Sequence, residues 1–299
     1  MCSSDLEARI GIGLFAAMLG YSGYLHSLDY ARTRLQGRPA RGKDPTEPQV
    51  PIVEHADVRR MLLAQKAYVE GALALCLYCA ALIDEQNTAA EEAARREAGL
   101  LLEILTPLAK AWPSQWCLAA NDLAIQVHGG YGYTRDYAVE QLYRDNRLNP
   151  IHEGTNGIQA LDLLGRKSVM EDGAALKLLM RAMTRTAHAA LGAPDAELAR
   201  WGEALAGAAI EIPKTTRALH AAGALDATLA NAHVYLELVG HSVIAWIWLR
   251  QALAAALPGT SGADADFYRG KLQACRYFFD WELPKVRAQH ELLRRLDRA

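Results

Sequence analysis

Glu153 is the residue whose type and setting most favour acid–base chemistry in this chain. It stands in the segment IHEGTNGIQ, residues 151–159, between His152 and Gly154. Glycine gives the backbone freedom at this point, and Thr155 can cap a helix that begins directly afterwards. A carboxylate on such a hinged loop can act as a general base. An acidic residue near a helix start can equally be a minor stabilising contact, so the glutamate alone leaves both interpretations open.

Two further blocks precede this glutamate. The first is AIQVHGGYGYT, residues 124–134, and the second is the triplet Tyr143, Arg144 and Asp145. A pair of glycines after a helix is by itself only a helix end. The three blocks together, in this order and at this spacing, resemble the C-terminal helical domain of the flavin-dependent acyl-CoA dehydrogenases.

The resemblance extends over nearly the whole chain. Arg9 stands near the start of the first predicted helix, and residues 30–34 close it as in that family. Residues 51–62 resemble an extended subgroup, which includes the 3-methylmercaptopropionyl-CoA dehydrogenases and carries an extra C-terminal helical domain. Residues 224–227 and 267–271 resemble that added domain. The chain is therefore similar to the C-terminal portion of such an enzyme.

The resemblance implies dehydrogenation of an acyl-CoA thioester, with FAD as the cofactor. Glu153 would remove the α-proton, the β-hydride would pass to the flavin, and trans-2-enoyl-CoA would form. Excluding water from a carboxylate raises its pKa and strengthens it as a base. Gly154 would let the backbone approach the thioester, whose carbonyl an amide N–H can polarise.

The resemblance also assigns the remaining site residues one by one. Arg34 matches an arginine that reaches the flavin pyrophosphate across a subunit interface. Gln126 and Gly130 match positions on the same pyrophosphate side, and Thr155 matches a position near the adenosine portion of FAD. Arg9 matches a substrate-side arginine near the CoA moiety. No metal site is predicted.

The expected partners follow from the same family. They are an acyl-CoA substrate, an electron-transfer flavoprotein as electron acceptor, and further copies of the chain in a dimer or a dimer of dimers. A cytoplasmic location is expected. His152 departs from the family pattern because a tyrosine is usual there, and Gly157 stands where many relatives have a polar side chain.

The predicted domain organisation begins with an unusual lead. Residues 1–6 do not resemble the family and are expected to be non-native. Residues 7–170 are predicted to form the acyl-CoA dehydrogenase helical bundle, and residues 173–299 the additional helical domain. Complete relatives have an N-terminal helical domain and a β-domain ahead of this region, so the chain is expected to be N-terminally truncated and inactive alone.

Composition excludes several classes of function. The 299 residues carry 32 Lys and Arg against 34 Asp and Glu, a net charge of −2, which gives no electrostatic case for nucleic acid. Five cysteines are too few and odd in number for a disulfide framework. Cys76 and Cys79 form a C-x-x-C pair without a second pair at zinc spacing, so they are predicted to pack in the core.

Two apolar runs, residues 10–25 and 234–257, could be mistaken for membrane segments. The first is not followed by a small-residue cleavage site, and its four glycines suit close helix packing. The second contains Glu237, His241 and Arg250, which are costly in lipid. The first run is therefore predicted to be a closely packed helix and the second a buried helix, in a soluble protein with no membrane span.

The chain is predicted to be all-α, because no β-rich alternating segments bounded by turns are found. Two apolar stripes recur at helical spacing and are predicted to face a bundle interior. The first stripe is Leu14, Met18, Tyr21, Leu25 and Leu28, and the second is Val58, Leu62, Val69, Ala72, Cys76, Cys79 and Ile83.

Glycine and proline predict where the helices stop. Residues 37–50 are predicted to be a loop, and Pro107 and Pro113 to bracket a helix break. A helix capped at Thr155 or Asn156 should then run toward Val169. Residues 171–173, Glu-Asp-Gly, are the predicted boundary between the two domains.

Two other classes of function compete with the flavoenzyme. A non-catalytic helical interaction module could keep the same fold, and Glu153 argues against it without excluding it. A di-metal carboxylate bundle would need paired Glu-x-x-His motifs on two helices. The sequence contains none, so this class is set aside.

Overall fold

The computed structural model describes residues 3–39, 46–152, 154–257 and 264–296, with side chains from Leu6 onward. In these ranges the chain is helical and contains no β-strand, apart from an isolated bridge between Leu35 and Pro51. The all-α prediction is confirmed. The α-helices are α1 Ser3–Thr33, α2 Ala56–Thr88, α3 Glu92–His128, α4 Val139–Asn146, α5 Asn156–Asp162, α6 Met170–Leu191, α7 Ala196–His220, α8 Leu225–Leu229, α9 Ala232–Ala255, α10 Ala265–Tyr277 and α11 Lys285–Arg294.

Small residues hold α1 against α2 and α3. A Cβ added to Gly13 would lie 1.8 Å from the Ala109 carbonyl oxygen, and one added to Gly20 would lie 2.7 Å from Cys117 Cβ. Helix axes can come this close only where side chains are absent. The predicted role of these two glycines in close packing is therefore confirmed, whereas a Cβ at Gly11 would meet no atom of the described residues within 4 Å.

The predicted packing stripe of α1 is wrong for its largest members. Leu14, Met18 and Leu25 are 38%, 46% and 48% exposed, while Ala16 and Ala17 are fully buried. Helical periodicity defines two candidate faces on this helix, one of large and one of small residues. The small face is buried because it permits the closer approach of the neighbouring helices.

Pro107 and Pro113 lie inside the continuous helix α3, so the predicted break at these prolines is also wrong. Proline removes one helical hydrogen bond and crowds the preceding turn. At Pro113 this leaves the Ala109 carbonyl without its usual i+4 donor. The Cys76 thiol lies 4.0 Å from that oxygen, and the Cβ-free face of Gly13 lies against it. Packing with α1 and α2 thus accommodates the interruption.

The predicted stripe of α2 is confirmed. Cys76 and Cys79 are 2% and 0% exposed, as predicted for core residues. Burial raises the pKa of the Cys76 thiol to about 12 and that of Cys79 well above its usual value. Both thiols are therefore protonated and unreactive at neutral pH.

Helix α9 is the centre of the second half of the chain. Trp246 and Trp248 on this helix are 2% and 0% exposed. Two helices, α2 and α9, are long and apolar enough to cross a membrane, but 56% and 83% of their most apolar windows are buried inside the protein. The apolar side chains of α2 and α9 therefore pack in the protein core, which agrees with the buried helix predicted for residues 234–257.

The backbone turns left-handed at residues 171–173, with φ of 48°, 54° and 77° at Glu171, Asp172 and Gly173. Residues other than glycine are uncommon in this region, so the two consecutive acidic residues are held there by their surroundings. The interruption coincides with the predicted domain boundary. The boundaries of the two domains themselves stay predictions.

Candidate functional site

The loop between α4 and α5 contains the predicted catalytic segment. The backbone N–H groups of Ile151 and His152 donate to the Leu148 carbonyl at 2.9 and 3.2 Å, and that of Asn156 donates to the Pro150 carbonyl at 3.0 Å. Glu153 itself lies outside the described residues. The residues on both of its sides are therefore held by backbone hydrogen bonds.

Lys110 of α3 anchors this loop from inside the protein. Its side chain is fully buried, and its ammonium group donates to the carbonyls of Asn149 and Gly154 at 2.8 and 2.9 Å. These carbonyls stand on either side of Glu153 in the sequence. A buried cation is costly unless oxygen atoms surround it, so the lysine and the loop depend on each other.

Three fully buried asparagines continue the support of the loop. The Asn149 amide donates to Asn146 Oδ1 at 2.9 Å, and the Asn146 amide donates to Asn121 Oδ1 at 2.7 Å. Asn146 and Asn121 also donate to the carbonyls of Ala16 and Leu19 at 3.2 and 3.0 Å. This chain of amides ties the loop, α4 and α3 to the backbone of α1.

Gly154 and Thr155 shape the entry into α5. Gly154 has a φ of +81°, and a Cβ there would lie 2.9 Å from the amide nitrogen of Gln159. The positive φ favours glycine here, whereas the nearest obstacle to a side chain is only the movable end of Gln159. The Thr155 hydroxyl accepts from the Ile158 N–H at 3.3 Å, which confirms the predicted cap. The helical segment then continues through a π-helical turn at Leu163–Lys167, close to the predicted end.

Arg9 joins the start of α1 to α5. Its guanidinium donates to Asp162 Oδ2 at 2.8 Å and to Gln159 Oε1 at 3.3 Å. Gln159 in turn donates to the Gly154 carbonyl at 3.3 Å. The predicted substrate arginine is thus connected through a single side chain to the glycine beside Glu153, and its role toward substrate stays a prediction.

Arg34 lies at the other end of α1, against the glycine-rich turn. Its guanidinium carbon is 5.2 Å from the centroid of the Tyr131 ring, and its Nε is buried without a hydrogen-bond partner in the described parts of the chain. Gly129 has a φ of +62°, and within the described ranges a Cβ on Gly130 would meet nothing within 4 Å. Gln126, near the end of α3, is exposed. A guanidinium whose Nε has no partner among the described residues, beside a glycine turn, is well suited to a phosphate.

The predicted site residues therefore fall into two groups within one chain. Arg9, Gly154 and Thr155 belong to one group, and Arg34 and the Gln126–Gly130 end of α3 to the other. Arg9 and Arg34 are separated by the length of α1, about 37 Å at roughly 1.5 Å per residue. One small ligand cannot span both groups in a single chain.

Sequence analysis missed Lys110, the three asparagines and Asp162. A lysine inside the otherwise apolar run ILTPLAKAWP was the available indication, because lysine is rarely buried without a partner. The asparagines gave no such indication, since each is common at helix ends and in turns.

The sequence matches two family descriptions along its length. Residues 6–168, more than half of the chain, match "Acyl-CoA dehydrogenase, C-terminal domain". Residues 179–299 match "Acetyl-CoA dehydrogenase C-terminal like". The all-helical fold and these matches place the chain among the C-terminal domains of acyl-CoA dehydrogenases.

Individual relatives agree with this classification. The chain is 36% identical over 295 residues to 3-methylmercaptopropionyl-CoA dehydrogenase of Ruegeria pomeroyi, covering 95% of this chain and 48% of that protein. It is 32% identical over 310 residues to the broad-specificity linear acyl-CoA dehydrogenase FadE5 of Mycobacterium tuberculosis, covering 97% and 49%. The chain thus spans about half the length of the curated relatives it matches.

A solved structure shares the fold. The acyl-CoA dehydrogenase of Bacillus anthracis, complexed with FAD, matches with a TM-score of 0.74 at 19% identity, over 96% of this chain and 48% of that one. This chain belongs to the acyl-CoA dehydrogenase family and corresponds to its C-terminal helical region, which confirms the resemblance found in the sequence.

Proposed function

We propose that this chain supplies the catalytic base of an FAD-dependent acyl-CoA dehydrogenase. Glu153 takes the proton from the carbon next to the thioester carbonyl of an acyl-CoA, and trans-2-enoyl-CoA is the product. The observation that carries the proposal is the anchoring of the loop on both sides of Glu153 by Lys110, in a chain of this family. A base must be held near its proton to be effective.

Three residues near the base complete this part of the site. Gly154 brings the main chain close to the thioester, because no side chain stands between them. Arg9 lies beside Gln159 and is the proposed contact to the CoA moiety, while its bond to Asp162 fixes the guanidinium. Thr155 caps α5 and is the proposed neighbour of the adenosine portion of the cofactor.

The residues at the far end of α1 fit FAD. Arg34 offers a buried Nε that has no partner in the described part of the chain, Gln126 an exposed amide, and Gly130 a main chain that carries no side chain. These groups would hold the pyrophosphate. FAD supplies the hydride acceptor when it is bound.

The separation of the two groups supports a homo-oligomer. If Arg9, Gly154 and Thr155 serve one active site, Arg34 is too far along α1 to reach that site and serves the flavin of a neighbouring copy. An electron-transfer flavoprotein is the proposed acceptor of the electrons, and the cytoplasm the proposed location.

Residues 1–299 alone are proposed to be inactive and to hold little FAD, because the relatives are about twice as long.

The test is Glu153→Gln in a flavin-loaded preparation of the protein that contains this chain. An amide cannot accept the α-proton, so anaerobic flavin reduction by an acyl-CoA should slow by at least about 10²–10⁴-fold, while FAD and substrate still bind. The matched control is Glu85→Gln on the exposed face of α2, which should reduce at the wild-type rate. A Glu153→Gln protein that is reduced as fast as wild type would remove this residue from the mechanism.

A non-catalytic helical interaction module is the second candidate. Its supporting observation is the exposed apolar side of α1, where Leu14, Met18 and Leu25 project. Absence of a flavin absorbance band from the purified full-length protein that contains this chain would favour this candidate over the dehydrogenase.

A further inference from the structure

A buried carboxylate lies where the two regions of the chain that match the family meet. Glu282 ends the π-helical turn Phe278–Glu282 and is 1% exposed. Its Oε1 accepts from the hydroxyl of Tyr68 of α2 at 2.9 Å and from that of Tyr277 of α10 at 3.2 Å. Tyr68 belongs to the first matched region, residues 6–168, and Glu282 to the second, residues 179–299. The carboxylate therefore joins the two regions.

The other oxygen of Glu282 faces two basic groups. Lys285 Nζ donates to Oε2 at 2.5 Å, and His241 Nε2 lies 3.5 Å from the same oxygen. The second distance is long for a hydrogen bond and within the range of an ion pair. Burial raises the pKa of Glu282, but its contacts to His241 and Lys285 outweigh burial and lower the pKa to about 2. Glu282 is therefore ionised at neutral pH.

Histidine is the side-chain type that changes charge near neutral pH. His241 of α9 is 1% exposed, and its Nδ1 lies 3.1 Å from the carbonyl of Glu237, one turn earlier. A carbonyl oxygen only accepts, so Nδ1 carries a hydrogen. Nε2 has no hydrogen-bond partner among the described residues, and its ion-pair contact is to Glu282. A hydrogen on Nε2 makes the ring a cation beside this carboxylate, and its loss leaves a lone pair there.

Aromatic rings enclose His241. The ring centroids of Trp112 and Trp116 of α3 lie 5.9 and 4.7 Å from the centroid of the imidazole, and that of Phe278 lies 5.9 Å away. Electrostatic interactions are stronger where such groups replace water. The two tryptophans belong to the first matched region, so His241 also lies at the contact between the regions.

The other titratable groups around this pair keep their charge states at neutral pH. Burial is the main cause that raises the pKa of Tyr68, and it raises that of Tyr277 to about 12, so both hydroxyls stay protonated. The pKa of Glu237 is lowered, chiefly by its contact to His233 at 3.5 Å, so this carboxylate stays ionised. His241 is thus the member of the cluster whose charge can change.

We propose that His241 and Glu282 form a pH-dependent latch at the contact between the two matched regions. When both ring nitrogens of His241 carry hydrogens, the imidazolium is attracted to Glu282 and holds α9 to the turn that Tyr68 of α2 also binds. When Nε2 loses its hydrogen, its lone pair faces the carboxylate and the latch loosens. The latch goes beyond the dehydrogenase function and does not depend on it, because neither residue belongs to the proposed site.

NMR of the ¹⁵N-histidine-labelled 299-residue chain tests the ring hydrogens directly. The chain has nine histidines, and His241→Leu identifies the signals of His241. At pH 5.5 both of its ring nitrogens should be protonated, and at pH 8.5 Nε2 alone should have lost its hydrogen. A neutral ring that keeps the hydrogen on Nε2, or a ring whose protonation is the same at both pH values, would overturn the proposal.

A double-mutant cycle of His241→Leu and Glu282→Gln measures the strength of the latch. The cost of burying each group cancels in such a cycle, which leaves the interaction between the two. In urea unfolding, the coupling should change the unfolding equilibrium constant by at least about tenfold at pH 5.5, as for a charge-assisted contact shielded from water. At pH 8.5 the coupling should be below about threefold, because Nε2 then has no hydrogen to offer.

His233 and Glu237 provide a matched control on the same helix. Their Nε2–Oε1 distance is also 3.5 Å, but their side chains are 50% and 30% exposed. Solvent screens such a pair, so the cycle of His233→Leu and Glu237→Gln should give no more than about threefold coupling at pH 5.5. A coupling between His241 and Glu282 that is no larger than this control, or that is equal at the two pH values, would refute the latch.

Discussion

Replacing Lys110 by methionine should destabilise the loop around the proposed base more than any other lysine substitution in the described chain. The ammonium group makes hydrogen bonds of 2.8 and 2.9 Å to the carbonyls of Asn149 and Gly154, in a fully buried position. Hydrogen bonds that involve a charged group are each worth about 1.5–3 kcal/mol. Methionine fills a similar volume but leaves both carbonyls without this donor.

The net effect is smaller than the sum of these bonds. Removing the lysine also removes the cost of burying its charge, which offsets part of the loss. We therefore expect the free energy of unfolding to fall by about 2–4 kcal/mol. The loop should also open locally, because it loses its internal anchor while its own backbone bonds remain.

Urea unfolding followed by circular dichroism measures the global change, and amide hydrogen exchange measures the local one. Protection should fall first at the N–H groups of Ile151, His152 and Asn156, which close the loop. The control is Lys177→Met, since Lys177 is exposed and donates to a single carbonyl, that of Asp172, at 2.8 Å. It should change stability by less than about 0.5 kcal/mol. A Lys110→Met protein as stable as this control, with unchanged exchange, would refute the reasoning.

Three further predictions follow from the packing, the cofactor fit and one buried histidine. Gly13→Ala should lower the free energy of unfolding by at least about 3 kcal/mol, because the added Cβ would meet the Ala109 carbonyl. Gly11→Ala lies in open space on the same helix and should raise the free energy of unfolding by up to about 1 kcal/mol. Urea titration of the two variants measures both changes. Arg34→Ala should weaken FAD binding to the flavin-loaded protein by about 1.5–3 kcal/mol and leave the helix content unchanged. Unchanged flavin retention on gel filtration would contradict the assignment of Arg34 to the pyrophosphate. Burial is the main cause that lowers the pKa of His290 to about 4 in the folded protein. As pH falls from 6.5 to 4, only the unfolded state binds a proton at this residue, so the free energy of unfolding should fall by about 1–3 kcal/mol. In urea titrations at several pH values, His290→Phe should remove this pH dependence.

The sequence by itself determined the class of protein and the local structure near the proposed base. Gly154 and Thr155 predicted a hinged loop and a helix start, because a positive φ and an N-cap each depend on one residue and its immediate neighbours. The stripe on α2 was predicted correctly, since its apolar residues recur on a single face. Local rules were sufficient at these positions.

Tertiary structure decided which face of α1 is buried and whether α3 continues through its prolines. Gly13 of α1 and Ala109 of α3 show the reason. The close approach of these two helices buries the small-residue face of α1. The same approach accommodates the Ala109 carbonyl, which Pro113 leaves without its usual donor. Lys110 meets Asn149 and Gly154 only after α3 and the loop have packed together. These features depend on which atoms stand opposite each other in space, and neither periodicity nor residue type specifies that.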